Sequence, residues 1–478
     1  MKNRASKYGK KIVSSSETQK ELTETTEEEE KGMLKLKSEA ITDRIMTEMT
    51  SKVKDFISEA IVHYREIDFQ QIEETVVETK EKFGKMLTDG VLEAIGNGGH
   101  GPTIECECGG VQRYVGERRW KLTSLNGRIE INRAYYHCKQ CGSSKIPLDE
   151  QLCLEGKHQS IGVRKQVALE GMREPFQEAS MLLETESGIS VSSKEIQLES
   201  EEIGNEVSIQ IEKEVESLWS EKKEIKPESV PDRLYITADG TGVRTELGNK
   251  EVKIGSVYET PPASGAIAND IQYTGGFAQA EEFGKRLYVL AAKRGYEKAL
   301  EVVFLGDGAK WIWIMAKYHF PKAVQILDWY HAEERIWDVG KAVYGEETKA
   351  TAEWVREQLG YLSKGDPESV IISLMYLISP NPATKNPEAL KKINENITYF
   401  ENNQSRMHYD EYKAKGYHIG SGTAESACKH VVGQRLKQSG MTWSIKGAES
   451  ILQLRILWKN KEWNRFWQNR KNTVKMAA

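Results

Sequence analysis

Long apolar runs are missing from this chain of 478 residues: the longest, Ile371 to Ile378, falls far short of the roughly 20 residues that a membrane-spanning helix needs. A helical membrane protein is thereby excluded, and no membrane partner is expected. Cysteine is scarce as well. Of the six, four gather at Cys106, Cys108, Cys138 and Cys141, which argues against a disulfide framework and for metal binding in a reducing compartment. The N-terminus has lysines but lacks the apolar core of a secretory leader, so a cytoplasmic protein is expected. Positive charge is not in excess either: the net charge is −5 and the pI about 6.1, whereas proteins that process DNA tend to be basic. Apolar residues all but vanish from positions 1 to 35, which end in the run Glu27 to Glu30, and that composition predicts a disordered tail.

The charge is segregated along the chain. Residues 195 to 232 hold 12 acids and 4 lysines, whereas residues 431 to 478 hold 10 Lys and Arg against Glu449 and Glu462. Trp443, Trp458, Trp463 and Trp467 are interleaved with the basic end. Tryptophans at helical spacing suit a core, while Arg435, Lys437 and Lys446 are the candidates for phosphate contacts.

Within this frame three acids stand out. Asp239 closes the apolar run Leu234 to Ala238 in LYITADGTG, and Asp307 follows Val302 to Leu305 in EVVFLGDGAKW. Both read as strands that end at a ligand-facing sheet edge. Glu425 lies in GSGTAESACKHVVGQRLK, where Ala424, Ala427, Cys428 and Val431 mark one face of a helix. Taken singly, an aspartate before glycine is a turn residue, and Glu425 has the i,i+4 spacing of an ion pair with Lys429. Together, in the order strand, strand, helix, the three can hold two divalent cations that clamp the attacking and leaving oxygens of a phosphodiester. Oxygen ligands, with no Cys or His expected in the acid site, favour Mg²⁺ or Mn²⁺ over Zn²⁺.

Around these acids the pattern is mixed α/β. Strands are predicted at Arg233 to Ala238, Val252 to Tyr258, Ile271 to Phe277, Glu301 to Leu305 and Ala323 to Leu327, with helices at Ala280 to Arg294 and Ala309 to His319. Glu425 follows Asp307 by 118 positions, more than one strand and one helix need. Helical patterns at Glu347 to Ser363, Pro367 to Leu377 and Pro387 to Asn402 fill that interval and predict an all-helical insertion at 346–415. It separates a core part at 231–345 from a second at 416–478.

Upstream, residues 36–98 are helical, with Ile41, Ile45, Met46, Met49, Ile57 and Ile61 on recurring faces, and GNGGHGP at Gly96 to Pro102 breaks the pattern. Residues 99–150 carry short strands between Cys106-x-Cys108 and Cys138-x-x-Cys141, so that two knuckles meeting would complete a zinc-ribbon-like Cys₄ site for Zn²⁺, with His137 as an adjacent substitute. Residues 151–230 are helical: Phe176 to Thr185, a break, then a second helix capped by Ser192 or Ser193 with Glu195 behind it. That is the outline of a helix-turn-helix. Its second helix is rich in Glu, which suits an acidic structural spacer better than DNA reading.

The segments ITADGTGV, VVFLGDGAKWIW, ILDWYHAEERIWD and the stretch from YFENNQSRMHYDEY to QSGMTWS resemble those of the ISKra-type (ISKra-four) insertion-sequence transposases of bacteria, from about Cys106 to the end. The resemblance implies an RNase H-like core interrupted by the helical insertion, with Asp239, Asp307 and Glu425 as a DDE triad. It implies a supporting role for Asp328 and His331, which supply a (C/D)xxH motif in Asp328-Trp329-Tyr330-His331, and a counterpart of the CxCGG and CxxC region at Cys106 to Gly110 and Cys138 to Cys141. The expected activity is metal-assisted cleavage and strand transfer on double-stranded DNA, both element ends and target, by a homo-oligomer acting at the nucleoid. The alternatives are a catalytically silent, domesticated DNA-binding protein and a plain RNase H-like nuclease.

Overall fold

The computed structural model describes residues 15–62, 67–154, 156–221, 223–260, 268–378 and 386–477, with side chains between residues 35 and 470 apart from residue 269. The chain divides into two compact units: Met1–Lys165 with Ser187–Ile189 and Asn469–Ala478, and Gln166–Glu186 with Ser190–Gln468. No helix among the described residues is long and apolar enough to cross a membrane.

The first unit begins with two long helices, α1 (Ser15–Val62) and α2 (Phe69–Ile95). Asp68 and Gln71 form a reciprocal cap that fixes where α2 starts. Helix α1 begins at Ser15, inside the stretch read as a disordered tail. Glu and Lys are good helix formers, and a long helix propagates through polar sequence once its apolar part nucleates it. Residues 1–14 lie outside the described residues. Next comes an antiparallel four-stranded sheet in the order β1 (Thr103–Glu105), β2 (Val111–Ser124), β3 (Gly127–Cys138), β4 (Ser144–Lys145), followed by α3 (Pro147–Leu152). Its small core joins Leu122, Ile129, Ile131, Leu148 and Leu154.

Helix α4 (Ile161–Arg173) leads into the second unit, where α5 (Phe176–Ser187) and α6 (Ser193–Val215) follow. Ser192 caps α6 and shares a capping box with Glu195, as the sequence predicts. The buried face of α6, Ile196, Ile203 and Val207, packs against α16 (Ile445–Lys459), so α6 is a packing element and not a free recognition helix.

Five strands form a mixed sheet: β5 (Arg233–Thr245), β6 (Gly248–Glu259), β7 (Asn269–Gly276), β8 (Glu301–Gly306) and β9 (Val324–Leu327), in the order β7-β6-β5-β8-β9. The first three strands pair antiparallel, and β8 and β9 add parallel to β5. Helices α7 (Ala280–Lys293) and α8 (Lys310–His319) make the parallel crossovers. Near-continuous apolar burial along β5 and β8 fits strands covered on both faces. β5 runs to Thr245 rather than stopping at Ala238, because its hairpin with β6 keeps every residue to Thr245 paired. Asp239 therefore sits within a strand.

After β9 comes α9 (Trp329–Tyr344); α10 (Lys349–Ser363), α11 (Pro367–Ile378), α12 (Pro387–Asn403) and α13 (Tyr409–Ala414) then fall within residues 346–415, where helices are expected. The last elements are α14 (Gly422–Ala427), a π-helical turn at Cys428–Gly433, α15 (Gln434–Leu436), α16 and α17 (Trp463–Ala477). Trp443, Trp463 and Trp467 are buried, as expected for most of the tryptophans, and Trp458 is exposed.

The crossing of α6 and α16 is so close that a Cβ on Gly204 would stand 2.2 Å from the backbone oxygen of Ser450. Backbone cannot yield as a side chain can, so Gly204→Val should lower unfolding free energy by about 3 kcal/mol in a denaturant titration. An unchanged midpoint would show that the two helices are free to separate.

Candidate active site and metal centre

The parallel register aligns three acids. Ala238 pairs with Gly306 and Gly306 with Leu327, so Asp239, Asp307 and Asp328, the next residue in each case, form a row across β5, β8 and β9. Neighbouring strands are about 4.8 Å apart, which sets the scale of their separation.

Asp239 and Asp307 are half-buried. One carboxylate oxygen of Asp239 accepts from the Gly240 amide at 2.6 Å and the other from the Cys428 thiol at 3.1 Å. Asp307 accepts from the Ala309 amide at 2.8 Å, and its own carbonyl accepts from the Tyr399 hydroxyl of α12 at 2.8 Å. The Tyr399 ring leaves no room for a side chain at position 308, where φ is +100°, and glycine meets both demands. Burial, then the neighbouring charge of Asp239, raises the Asp307 pKa above the ordinary carboxylate value, and His331 opposes the rise. The Cys428 thiol is pushed far up by burial and by Asp239, so it stays protonated and donates.

Asp328 serves differently. It is 2 % exposed, and its carboxylate accepts from the amides of His331 and Ser421, capping α9 and clasping the chain just before α14. Burial alone would raise its pKa, but the hydrogen bonds from His331 and Ser421 outweigh that and lower it. The His331 Nδ1 lies 3.3 Å from the same carboxylate. That close contact with Asp328, together with the charge of Asp307, raises the imidazole to about 9, so it is cationic at neutral pH. His331 is thus a residue of the first turn of α9.

Glu425 lies in the first turn of α14, one turn before Cys428, and is exposed. The contact of Cys428 with Asp239 puts this helix on the Asp239 face of the sheet. Among the described residues, the group close enough together to hold a metal ion is the cysteine quartet, and the three acids are not drawn that close together. Carboxylates repel one another unless a cation neutralises them. The expected absence of Cys and His from the acid site is corrected here: Cys428 touches Asp239, and His331 bears on Asp307. Sequence reasoning took Cys428 for an apolar helix position, and only its spacing of three from Glu425 hinted at a shared face.

The proposed DNA contacts divide. Arg435 is wholly buried: its Nε donates to the Gly171 carbonyl at 3.1 Å, and its guanidinium lies 4.8 Å from the ring centres of both Phe176 and Trp443. Burial, with Arg455 nearby, lowers its pKa to about 10. It anchors packing and cannot meet a phosphate backbone, because the two rings and the Gly171 carbonyl enclose its guanidinium away from solvent. Lys437 is exposed, and its Nζ donates to Thr241 Oγ1 at 2.6 Å, two residues beyond Asp239 on the same strand face. Lys446 lines a different cleft of about 850 Å³, shared with Glu212, Glu216, Glu282 and Glu449 as well as Lys285 and Arg286.

In the first unit the two cysteine knuckles do meet. All four sulfurs lie within 4.8 Å of one another, with Cys106 and Cys108 3.4 Å apart and Cys108 and Cys138 3.8 Å apart. Cys106 follows β1 and Cys138 ends β3. Hydrogen bonds with Ser143 lower the Cys106 and Cys141 pKa values, favouring the thiolates that ligate metals. Four convergent cysteine sulfurs fit a tetrahedral thiophilic cation such as Zn²⁺. His137 stands aside, its Nδ1 3.1 Å from Ser144 Oγ.

A family model described as "Uncharacterised protein family (UPF0236)" matches residues 63–471. No curated protein matches the chain.

Two measurements follow from this geometry. A raised histidine pKa stabilises the fold fully below the free imidazole value of 6.5, and the contribution fades as pH climbs through about 9. NMR titration of His331 should therefore give a value near 9, falling toward 6.5 in Asp328→Asn, and an ordinary value in the unaltered protein would break the pairing. Elemental analysis should find one zinc per chain, lost in Cys138→Ser together with the stability of residues 99–150. A well-folded, zinc-free protein would make the quartet inert.

Proposed function

Since the chain belongs to the uncharacterised protein family UPF0236, whose description names no activity, we propose from the site itself that the protein is a DNA transposase of the DDE type, similar to the ISKra group. The observation that carries the proposal is the side-by-side placement of Asp239 and Asp307 on adjacent parallel strands, with the helix of Glu425 brought to the same sheet face by Cys428. The strand order, three antiparallel strands followed by two parallel ones, supports an RNase H-like core.

The residues present fit a divalent cation. Two half-buried carboxylates adjoin, burial and mutual repulsion raise one of them, and a bound cation would relieve both effects. Mg²⁺ or Mn²⁺ held by Asp239, Asp307 and Glu425 would supply Lewis acidity to the attacking and leaving oxygens of the phosphodiester. Around it, Asp328 fixes the start of the Glu425 helix, and cationic His331 offsets the charge gathered at Asp307. Lys437 offers an ammonium at the rim for a DNA phosphate. No covalent link between protein and DNA is needed.

Asp239→Ala, Asp307→Ala and Glu425→Ala should each cut cleavage and joining of element-end DNA in Mg²⁺ by more than roughly a hundredfold with the fold intact. Glu425→Gln should be nearly as severe. Lys437→Ala should weaken binding to specific and random duplexes alike and flatten the log K against log salt slope by about 0.9. Triad variants that work at the unaltered rate would remove the catalytic assignment. Cleavage without joining of a supplied 3′-hydroxyl end would leave a nuclease, and DNA binding with no chemistry at all a recognition protein.

A further inference from the structure

Helices α1 and α2 are nearly inside out. Of the 30 large apolar residues that are exposed among the described residues, 12 fall between Leu36 and Ile95, while only Ile41 and Ile45 of that stretch are buried large apolar residues. A pair of helices has no core of its own, and an amphipathic helix gains most of its stability by burying its apolar stripe. So dense an exposed set therefore calls for a partner.

The geometry of the hairpin shows what shape that partner meets. Ile41 and Ile45 pack at Gly90, and Arg44 pairs with Glu93, so the helices run antiparallel. On α1 the line facing α2 is Ile41, Ile45, Met49 and Phe56. At about 100° per residue, the exposed Met46, Val53, Ile57 and Ile61 centre roughly 110° round from it. On α2 the facing line is Ile72, Phe83 and Gly90, and the exposed Phe69, Val76, Leu87 and Val91 centre roughly 60° round in the same sense. Rotations of one sense on antiparallel helices bring both stripes to the same side. The result is a single apolar face roughly 20 Å wide and 35 Å long, or about 700 Å², close to the ~800 Å² per partner of a standard stable interface.

Charge selects the occupant. Lys54 and Glu81 are exposed on the outer flanks of α1 and α2, at one height along the hairpin, as the Ile45 and Gly90 contact sets it. The width of the hairpin keeps them apart within one copy. A two-fold axis parallel to the helices, by contrast, lays α1 of each copy on α2 of the other, so that each Lys54 meets the partner subunit's Glu81 and both apolar faces close into a four-helix bundle. We propose that a second copy of this chain covers the α1 and α2 face and that the protein is a two-fold dimer through it. The proposal is independent of the DNA chemistry, since its test reads mass alone.

Sedimentation equilibrium of the full chain at micromolar concentration should give twice the 54.2 kDa chain mass. Ile57→Glu and Val76→Glu should each weaken the dimer at least tenfold while helicity and cysteine-bound metal content stay unchanged, because both residues are exposed in the single chain. Lys54→Glu should weaken it as well, and Lys54→Glu with Glu81→Lys should restore it. A monomeric unaltered chain, or a dimer indifferent to the two glutamate substitutions, would overturn the proposal. Failure of the charge exchange to restore association would overturn the pairing of α1 with α2.

Discussion

Parallel pairing of β8 with β5 on one side and β9 on the other, in one register, is the constraint from which the candidate active site follows. It places Asp239, within β5, in a row with Asp307 and Asp328 at the carboxyl ends of β8 and β9. Parallel strands need crossovers, and α7 and α8 that supply them also cover the apolar strands, so the row of acids stands on a buried platform. Open α/β sheets place ligands at this end of their strands.

A row of carboxylates at one strand spacing is electrostatically unfavourable, and the surrounding groups answer each acid in turn. Asp328 is saturated by the amides of His331 and Ser421 and paired with an imidazolium, which lets it remain charged while almost wholly buried. Asp239 receives a thiol and an amide hydrogen bond. Asp307 is left with a raised pKa. In the proposed function that residual strain is what cation binding relieves. The same Asp328 that quiets the edge also holds the start of α14, so the electrostatic remedy and the placement of Glu425 depend on one side chain.

Charge elsewhere is spent on architecture. Arg435 and Arg455 lie inside the second unit: Arg455 donates to the carbonyls of Val431, Met172 and His430, and Arg435 is held between two aromatic rings. Planar, weakly hydrated guanidinium tolerates such sites where lysine would not. The basic C-terminal segment therefore presents less positive surface than its composition suggests, and Lys437 rather than Arg435 carries the proposed phosphate contact.

Local patterns were legible from the sequence because their causes are local. Period-two and period-3.6 patterns located the five strands and the helices between Asp307 and Glu425, although β5 runs seven residues past its expected end, the Ser192 and Glu195 cap marked the start of α6, and cysteine spacing located the quartet. Asp239 and Asp307 were likewise picked out by their place after an apolar run, whereas Asp328 and His331 came from the motif that the family resemblance supplied. What tertiary structure alone decided involves partners far apart in the chain: the Cys428 thiol on Asp239 across 189 residues, the Asp328 clasp on Ser421 across 93, and the burial of Arg435 beneath Gly171 across 264. A side chain's periodicity tells which face it shares, but whether that face meets water, an aromatic ring or another carboxylate is settled by the element that packs against it.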